Sequence, residues 1–412
     1  MKSQFYIKYL LYLAFMFSTI LCLPDSIPDT KSIINALSNK GYENLFAIVS
    51  EDTIYIAYEN RKYRWECKAI IDIIHTLIPL SESCKELCII PQYMGIPIIQ
   101  ITINIGKYLE FIKGKTLADN LMNSIHISFD IDNFQKQLKN KPVNNPSFNK
   151  LDIVIHPQFR AQFGNYSDPL ESQINISPAI NVSFWKGMKL TTQIIFPLQN
   201  DLEKEGDYIR PGLLTINQMF RLPLNSFGSV SVGYFTKNRY GANLETKKFL
   251  LNGKIALGLN LGYTGFANVM KGRWTYSEID LLTWNADIAY RYAKYDLALK
   301  LGYGSYLNKD KGFRFDFYRQ FGEVSIGFFA IKSNGVLNGG FNFCIPIPPR
   351  KYNTKRIVRI RPASYFNWQY RAKGLPKEGR TFKADNSISG LLDNLNPNYI
   401  KKQLIKLLTN NY

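Results

Sequence analysis

The chain has 412 residues and a net charge of +19, with 14% aromatic residues that include 26 Tyr and 27 Phe. That length exceeds one ordinary domain, and the aromatic content exceeds common soluble usage. Five cysteines are too few for a disulfide scaffold.

At the start, Lys2 and Lys8 flank an apolar run from Tyr9 to Leu21, followed by Pro24 and Asp25. This pattern predicts a secretory signal peptide over residues 1–22. The run falls short of the roughly 20 residues that a spanning helix needs. In a lipoprotein Cys22 would be acylated, but Ile20 and Leu21 are bulky where that processing takes small residues, so lipidation is the weaker reading. Export argues against a nucleic-acid partner. No later segment is apolar for long enough to cross a bilayer as a helix, so membrane residence has to come from strands.

Residues 23–148 read as a small α/β domain on the periplasmic side. Lys31 to Ser38 has helical spacing, Asn44 to Ser50 and Thr53 to Glu59 are strand-like, Glu66 to Leu77 is helical, and two short strands flank Met94 to Pro97. No phosphate loop or nucleophile elbow occurs there. Cys67, Cys84 and Cys88 allow one disulfide. A metal site on Cys84 and Cys88 is disfavoured, because His75, His126 and His156 fall at no ligand spacing to them.

From 149 to 348 the pattern changes to strict alternation. Leu257, Leu259, Leu261 and Tyr263 share one face, with Gly258, Asn260, Gly262 and Thr264 on the other. Leu297, Leu299, Leu301 and Tyr303 oppose Ala298, Lys300, Gly302 and Gly304, and Phe313, Phe315 and Phe317 oppose Arg314 and Asp316. A soluble sandwich also alternates. Aromatic ends such as Phe341 and Phe343, runs of about ten residues and charged polar faces favour lipid outside instead. The fold class predicted is mainly β, a transmembrane antiparallel barrel of about 12 strands. The runs are Leu151–Phe163, Ile174–Trp185, Met188–Leu198, Pro211–Leu222, Phe227–Thr236, Tyr240–Leu251, Ile255–Phe266, Trp274–Tyr292, Tyr295–Leu307, Phe313–Phe321, Val324–Ile331 and Leu337–Ile347. The eighth is long enough to hide two strands.

Residues 349–412 form a basic periplasmic tail. From Arg350 on, 14 Lys and Arg stand against 3 acids, so this stretch carries +11 of the +19. Such charge implies an acidic partner, which Arg356, Arg359, Arg361 and Arg371 would contact. An amphipathic helix with a protein-docking face is predicted from Ser387 to Leu408, interrupted at Pro397.

No catalytic constellation emerges. Gln158, Arg160, Gln162, Lys300, Arg314 and Asp316 sit on inward faces, as a polar filling or as a ligand path, and His156 among them reads as a polar lumen residue. No cofactor and no metal are expected.

Three segments, Ile54 to Arg64, Pro157 to Tyr166, and Arg361-Pro362-Ala363, resemble the YjbH-type exopolysaccharide-biosynthesis family in its Bacteroidota form, related to the GfcD-like members. The likeness extends over nearly the whole mature chain. It implies an outer-membrane barrel linked to capsule or exopolysaccharide secretion, with outer-membrane lipid, an acidic polysaccharide and periplasmic export proteins as partners. The longer relatives have two barrels, whereas a single run of strands is visible here. Two expectations follow: a non-enzymatic barrel component of polysaccharide export or assembly, or a structural anchor for a periplasmic complex with no transport path of its own.

Overall fold

The computed structural model describes residues 29–50, 52–81, 84–131, 134, 142–163, 169–354, 356–372, 378–384 and 388–409. The signal peptide with Cys22, the motif positions Gly164 to Tyr166, and Ser387 lie outside the described residues. No helix among them is long and apolar enough to cross a membrane.

The front region is an α/β layer. Helix α1 (Thr30–Asn39) starts where the Asp29 carboxylate accepts from the Lys31 amide at 3.2 Å, and it buries Ile33 and Leu37. Strands β1 (Glu43–Ser50) and β2 (Thr53–Glu59) form a hairpin, after which α2 (Glu66–Leu77) crosses to β3 (Glu86–Tyr93), parallel to β2. The apolar spacing of α2 buries Ile70, Ile71, Ile73, Ile74 and Leu77 against this sheet. The chain turns at Met94 and Gly95, both at positive φ, into β4 (Ile96–Pro97). It continues through β5 (Gln100–Asn104), α3 (Ile105–Ile112), α4 (Ala118–Ser124) and β6 (Ile125–Ser128). The strand order is β1-β2-β3-β5-β6. The strand expected after Pro97 is β5, where Ile101 and Ile103 alternate with Gln100, Thr102 and Asn104, whereas the sequence pattern does not separate α3, α4 and β6.

Among the described residues the second sheet has fifteen strands, against about twelve expected. Strands β7 (Leu151–Phe163), β8 (Leu170–Val182), β9 (Met188–Asn200), β10 (Arg210–Leu222), β11 (Ser226–Phe235), β12 (Arg239–Leu250) and β13 (Ile255–Met270) pair antiparallel in chain order. So do β15 (Leu281–Tyr292), β16 (Leu297–Ser305), β17 (Lys311–Phe321), β18 (Val324–Ser333) and β19 (Val336–Pro346). The eighth expected run does hold two strands. Its first part, β14 (Arg273–Tyr276), folds back on the overhanging end of β13, pairing Ala267 with Tyr276.

The remaining strands correct the boundary expected at 349. β20 (Val358–Pro362) pairs parallel with the first strand, β7, and β21 (Tyr365–Arg371) pairs antiparallel with the last, β19. One short segment thus joins both ends of the sheet, switching partner at Ala363, whose amide donates to the Ile155 carbonyl at 2.8 Å. Above that point the hydrogen-bonded path is open, and β7 meets β21 through rings: Phe159 stacks on Trp368 at 6.1 Å and Phe163 lies 5.7 Å from Tyr370. Phe366, Trp368 and Tyr370 alternate with Asn367, Gln369 and Arg371, a strand pattern obscured by the surrounding basic charge.

The sheet is apolar on its exposed face. Leu257, Tyr263, Leu301, Tyr303, Phe313, Phe315 and Phe317 are exposed, while Asn175, Lys189, Asn217, Asn243, Lys247, Arg291 and Asp296 on the other face are buried. The front domain docks on the end with the short turns. Arg221 donates to the carbonyls of Pro97, Ile98 and Phe129, and Phe129 stacks on Phe249 at 4.2 Å. The expected terminal helix is two helices, α5 (Ile388–Asn394) and α6 (Pro397–Thr409), because Pro397 has no amide to continue the first. Helix α6 docks at the same end, where Tyr399 accepts from the Trp65 indole at 3.1 Å and donates to the Gly322 carbonyl at 2.8 Å.

Candidate functional site

Two polar constellations are built by this fold, one at the junction of the domain and the sheet and one inside the sheet.

At the junction, Glu43 and Glu59 from the hairpin, Asp152 from β7 and Arg359 from β20 are all buried. Arg359 reaches Glu43 at 2.7 Å and Asp152 at 2.6 Å, Arg61 reaches Glu59 at 2.6 Å and Asp152 at 3.3 Å, and Lys150 reaches Glu43 at 2.8 Å. Glu59 also accepts from Asn44 and Ser147. Opposite charges this close offset the cost of removing them from water, even though Oε2 of Glu43 and Nε of Arg61 make no hydrogen bond. Arg64, in the same motif segment, forms a fork on Glu323 at 2.6 and 2.9 Å and donates to the Ile347 carbonyl. The motif residues Glu59, Arg61 and Arg64 therefore tie the front domain to the sheet.

This revises the reading of the tail arginines. The acids that Arg359 meets belong to the chain itself, Arg361 bonds Ser364 at 3.2 Å and lies over the Tyr352 ring at 5.1 Å, and Arg371 donates to the Glu378 and Gly379 carbonyls at 3.1 Å. Only Arg356 of the four remains exposed. A basic sequence run does not reveal which acids lie opposite it in space.

Inside the sheet, Lys300, Arg314 and Asp316 do come together. They line a cavity of about 270 Å³ with Lys247, Asp287, Tyr318, Asn342 and Asp393. Lys300 pairs with Asp287 at 3.1 Å and Arg314 with Asp316 at 2.6 Å, and Arg314 also lies 4.6 Å from the centre of the Phe329 ring. Gln158, Arg160 and Gln162 stand elsewhere on the wall: Gln158 accepts from Asn175 at 3.4 Å, Arg160 pairs with Glu203 at 3.3 Å, and Gln162 is opposite Glu171. His156 is opposite Ser177 on the same inward face.

Sequence reasoning missed that the tail runs through this interior. Phe382 stacks on Phe235 at 5.3 Å, and a side chain at Gly262 would strike the Phe382 ring. Glu245 caps α5, accepting from the Ile388 and Ser389 amides at 3.2 Å and from the Ser389 hydroxyl at 2.8 Å. Asp393 at the other end of α5 takes Lys247 at 2.8 Å and the Tyr318 hydroxyl at 3.1 Å, while Gln320 donates to Asn394 at 3.3 Å. Residues Gly379 to Ala384 and α5 thus contact inward positions of β11, β12, β17 and their neighbours before α6 leaves at the short-turn end. The sequence signal was faint: charges at Glu245, Lys247 and Arg291 on the polar faces of β12 and β15.

In the front domain, burial lifts the Glu66 carboxyl above its ordinary range despite hydrogen bonds from Tyr58 at 2.5 Å and Asn60 at 2.9 Å. Burial also works on Asp72, but hydrogen bonds from Lys62 at 2.7 Å, Lys40 at 3.0 Å and the Tyr42 hydroxyl at 2.8 Å outweigh it and hold that carboxyl below the usual range. Cys67, Cys84 and Cys88 are buried free thiols, so the disulfide allowed for among them is not formed. Cys88 packs with Phe46 and Phe134 in a cluster apart from the one holding the other two, and burial pushes its thiol up to about 12. No group of three metal-binding side chains occurs among the described residues.

No curated protein matches the sequence. Among solved structures, a loop L8 deletion mutant of OmpT, an outer membrane protein of Vibrio cholerae, is similar at 9% identity and a TM-score of 0.26, over 47% of this chain and 86% of that one. In-vitro folded OmpT of the same organism is similar at 8% identity and a TM-score of 0.24, over 47% of this chain and 79% of that one. The family model described as exopolysaccharide biosynthesis protein YbjH (YjbH) matches residues 24–343, which include the junction residues Glu43, Glu59, Arg61 and Asp152 and the cavity residues Lys300, Arg314 and Asp316. The chain belongs to the YjbH exopolysaccharide biosynthesis family.

Proposed function

We propose that this chain is a non-enzymatic outer-membrane β-barrel component of exopolysaccharide or capsule export or assembly, with Val358–Arg371 closing the barrel and the front domain on the periplasmic side. The observation that carries this reading is the inverted burial of the large sheet. A wall with exposed Leu and Phe outside and buried Lys, Arg and Asp inside suits lipid around it and a polar interior within it. Short turns on the domain side and longer connections opposite, at Asp201–Ile209 and Lys271–Asp280, match the usual periplasmic and outer ends of such barrels. Family membership supplies the polysaccharide context. Deletion of the gene should lower surface polysaccharide while its precursors are still made, and the pure protein should turn over no glycan. Normal surface glycan in a clean deletion removes the polysaccharide role.

A second reading, a structural anchor with no transport path, is favoured by one observation: the chain's own Gly379–Ala384 stretch and helix α5 lie in the interior, with α5 clamped at Glu245 and Asp393. Conductance in planar bilayers separates the two. A steady open channel supports a path, and a silent barrel supports the anchor.

A further inference from the structure

We propose that the outer mouth of the lumen is a binding site for an anionic sugar chain, one bearing carboxylate or phosphate groups. This deepens the polysaccharide reading above and rests on it.

Cations converge on the end opposite the front domain. Arg160 near the end of β7, Arg210 at the start of β10 and Arg371 at the end of β21 hold inward positions. They alternate with Phe159 and Phe163, with Ile194 and Phe196 on the paired strand, and with Tyr370, all of which face outward. Lys237 lies in the exposed turn after β11. The internal segment crosses at the same level: the Thr236 amide donates to the Lys383 carbonyl at 3.1 Å, the Thr236 hydroxyl accepts from the Lys383 amide at 2.7 Å, and the Leu307 amide donates to the Arg380 carbonyl at 3.0 Å. That crossing delivers two more cations, Arg380 and Lys383, both exposed.

The acids at this end do not neutralise the cluster. Glu203 pairs with Arg160 at 3.3 Å, Glu205 accepts from Asn268 at 3.2 Å, and Asp207 accepts from Asn200 at 2.6 Å. Lys237, Arg371 and Arg380 make no ion pair among the described residues; burial first, and then Arg160, Arg380 and Arg371, disfavour the Lys237 charge, with Glu203 acting the other way. Glu203 faces Arg160, Lys237 and Arg380 together, and an excess of like charge of this kind is what a polyanion relieves. Because Arg160, Arg210 and Arg371 hold inward strand positions, the phosphates of surrounding lipid are the poorer fit. The exposed Trp274 and Tyr276 rings on the β13–β14 hairpin, beside Tyr208 and Lys271, offer flat faces for sugar rings above the cluster.

The test uses the full chain in detergent, with polygalacturonate as the acidic probe, dextran as the neutral one, and lipid A vesicles as the third. Polygalacturonate should bind, weaken as salt rises, and bind roughly tenfold less tightly to the triple variant Arg160→Ala, Lys237→Ala, Arg380→Ala, a change of about 1.4 kcal/mol. A control triple on the front domain, Lys107→Ala, Lys113→Ala, Lys115→Ala, removes the same charge and should leave binding within about twofold. Equal loss in both triples, equal binding of dextran, or binding of lipid A vesicles without polygalacturonate each overturns the site. Reduced surface polysaccharide in the deletion strain together with any of those results would remove the site and leave the functional reading standing.

Discussion

The front domain and the large sheet use the same apolar residues in opposite senses. In the domain, Ile54, Ile56, Ile70, Ile74, Ile89 and Ile101 are buried completely or nearly so, and most of its charges lie on the surface or at the junction, with Lys62 buried beside Asp72. In the sheet, Leu301 and Phe315 are more than two-fifths exposed, while Lys247, Arg291 and Asp296 are at most one-twentieth exposed. Burial follows the solvent that each surface meets. The domain is organised to exclude water from its apolar face, whereas on the proposed reading the sheet keeps its polar face away from lipid.

The junction between these regions is where the contrast breaks most readily. Arg359→Ala would leave buried Glu43 with Lys150 and Asp152 with Arg61 as their remaining ion partners, at an expected cost of about 3 kcal/mol. Denaturant titration should show this as loss of domain docking, read as faster proteolysis between residues 142 and 150. Unchanged stability and cleavage would mean that the ion network does not hold the domain.

Within the sheet, opposite faces should answer oppositely to one charge. Leu259→Arg on the outer wall is expected to cost roughly 2–4 kcal/mol of folding stability in lipid vesicles. Asn260→Arg on the inner wall should cost far less, since its side chain meets a polar interior. If the inner substitution proves the more damaging, the two faces have been assigned the wrong way round.

The clamp on the internal segment should show a smaller effect. Asp393→Ala removes the partner of Lys247 and Tyr318 and should destabilise the segment by about 1–3 kcal/mol. Hydrogen exchange at Ser389 to Asn394 should then quicken while the β15 to β18 ladder stays protected. Equal loosening of the ladder would show that the segment is a structural post rather than a separable filling.

How much was legible in the sequence differs between the regions for physical reasons. The strands of the sheet were readable because alternation over ten or more residues requires an extended chain with two unlike faces, and Lys300, Arg314 and Asp316 fell on one interior face for the same reason. The closing strand and internal segment were not, since the charge of Arg359 and Arg371 reads as solvated until Glu43, Asp152 and the carbonyls of Glu378 and Gly379 are brought beside them. In the domain, α2 was plain from its period and the strand after Pro97 from its alternation, but α3, α4 and β6 were not separated.

The smallest expected effect distinguishes the domain by acid. Asp72 has a folded-state pKa below its unfolded value of about 3.9, so its contribution is present above that pH and is lost as pH falls through the lower folded value. Thermal melting of the full chain between pH 6 and pH 3 should lose less stability in Asp72→Asn than in the native sequence. A parallel decline in both would exclude Asp72 as a source of acid sensitivity.

The most direct measurement concerns the medium that the outer wall meets. With Cys344 replaced by Ser and the domain thiols buried, spin labels at Leu301→Cys and Lys300→Cys can be compared in outer-membrane vesicles for access to lipid-dissolved oxygen and to a water-soluble nickel complex. A lipid-facing wall predicts oxygen access at 301 and shielding from oxygen at 300. Ready access of the nickel complex to 301 would contradict it and leave the sheet as a water-exposed structure.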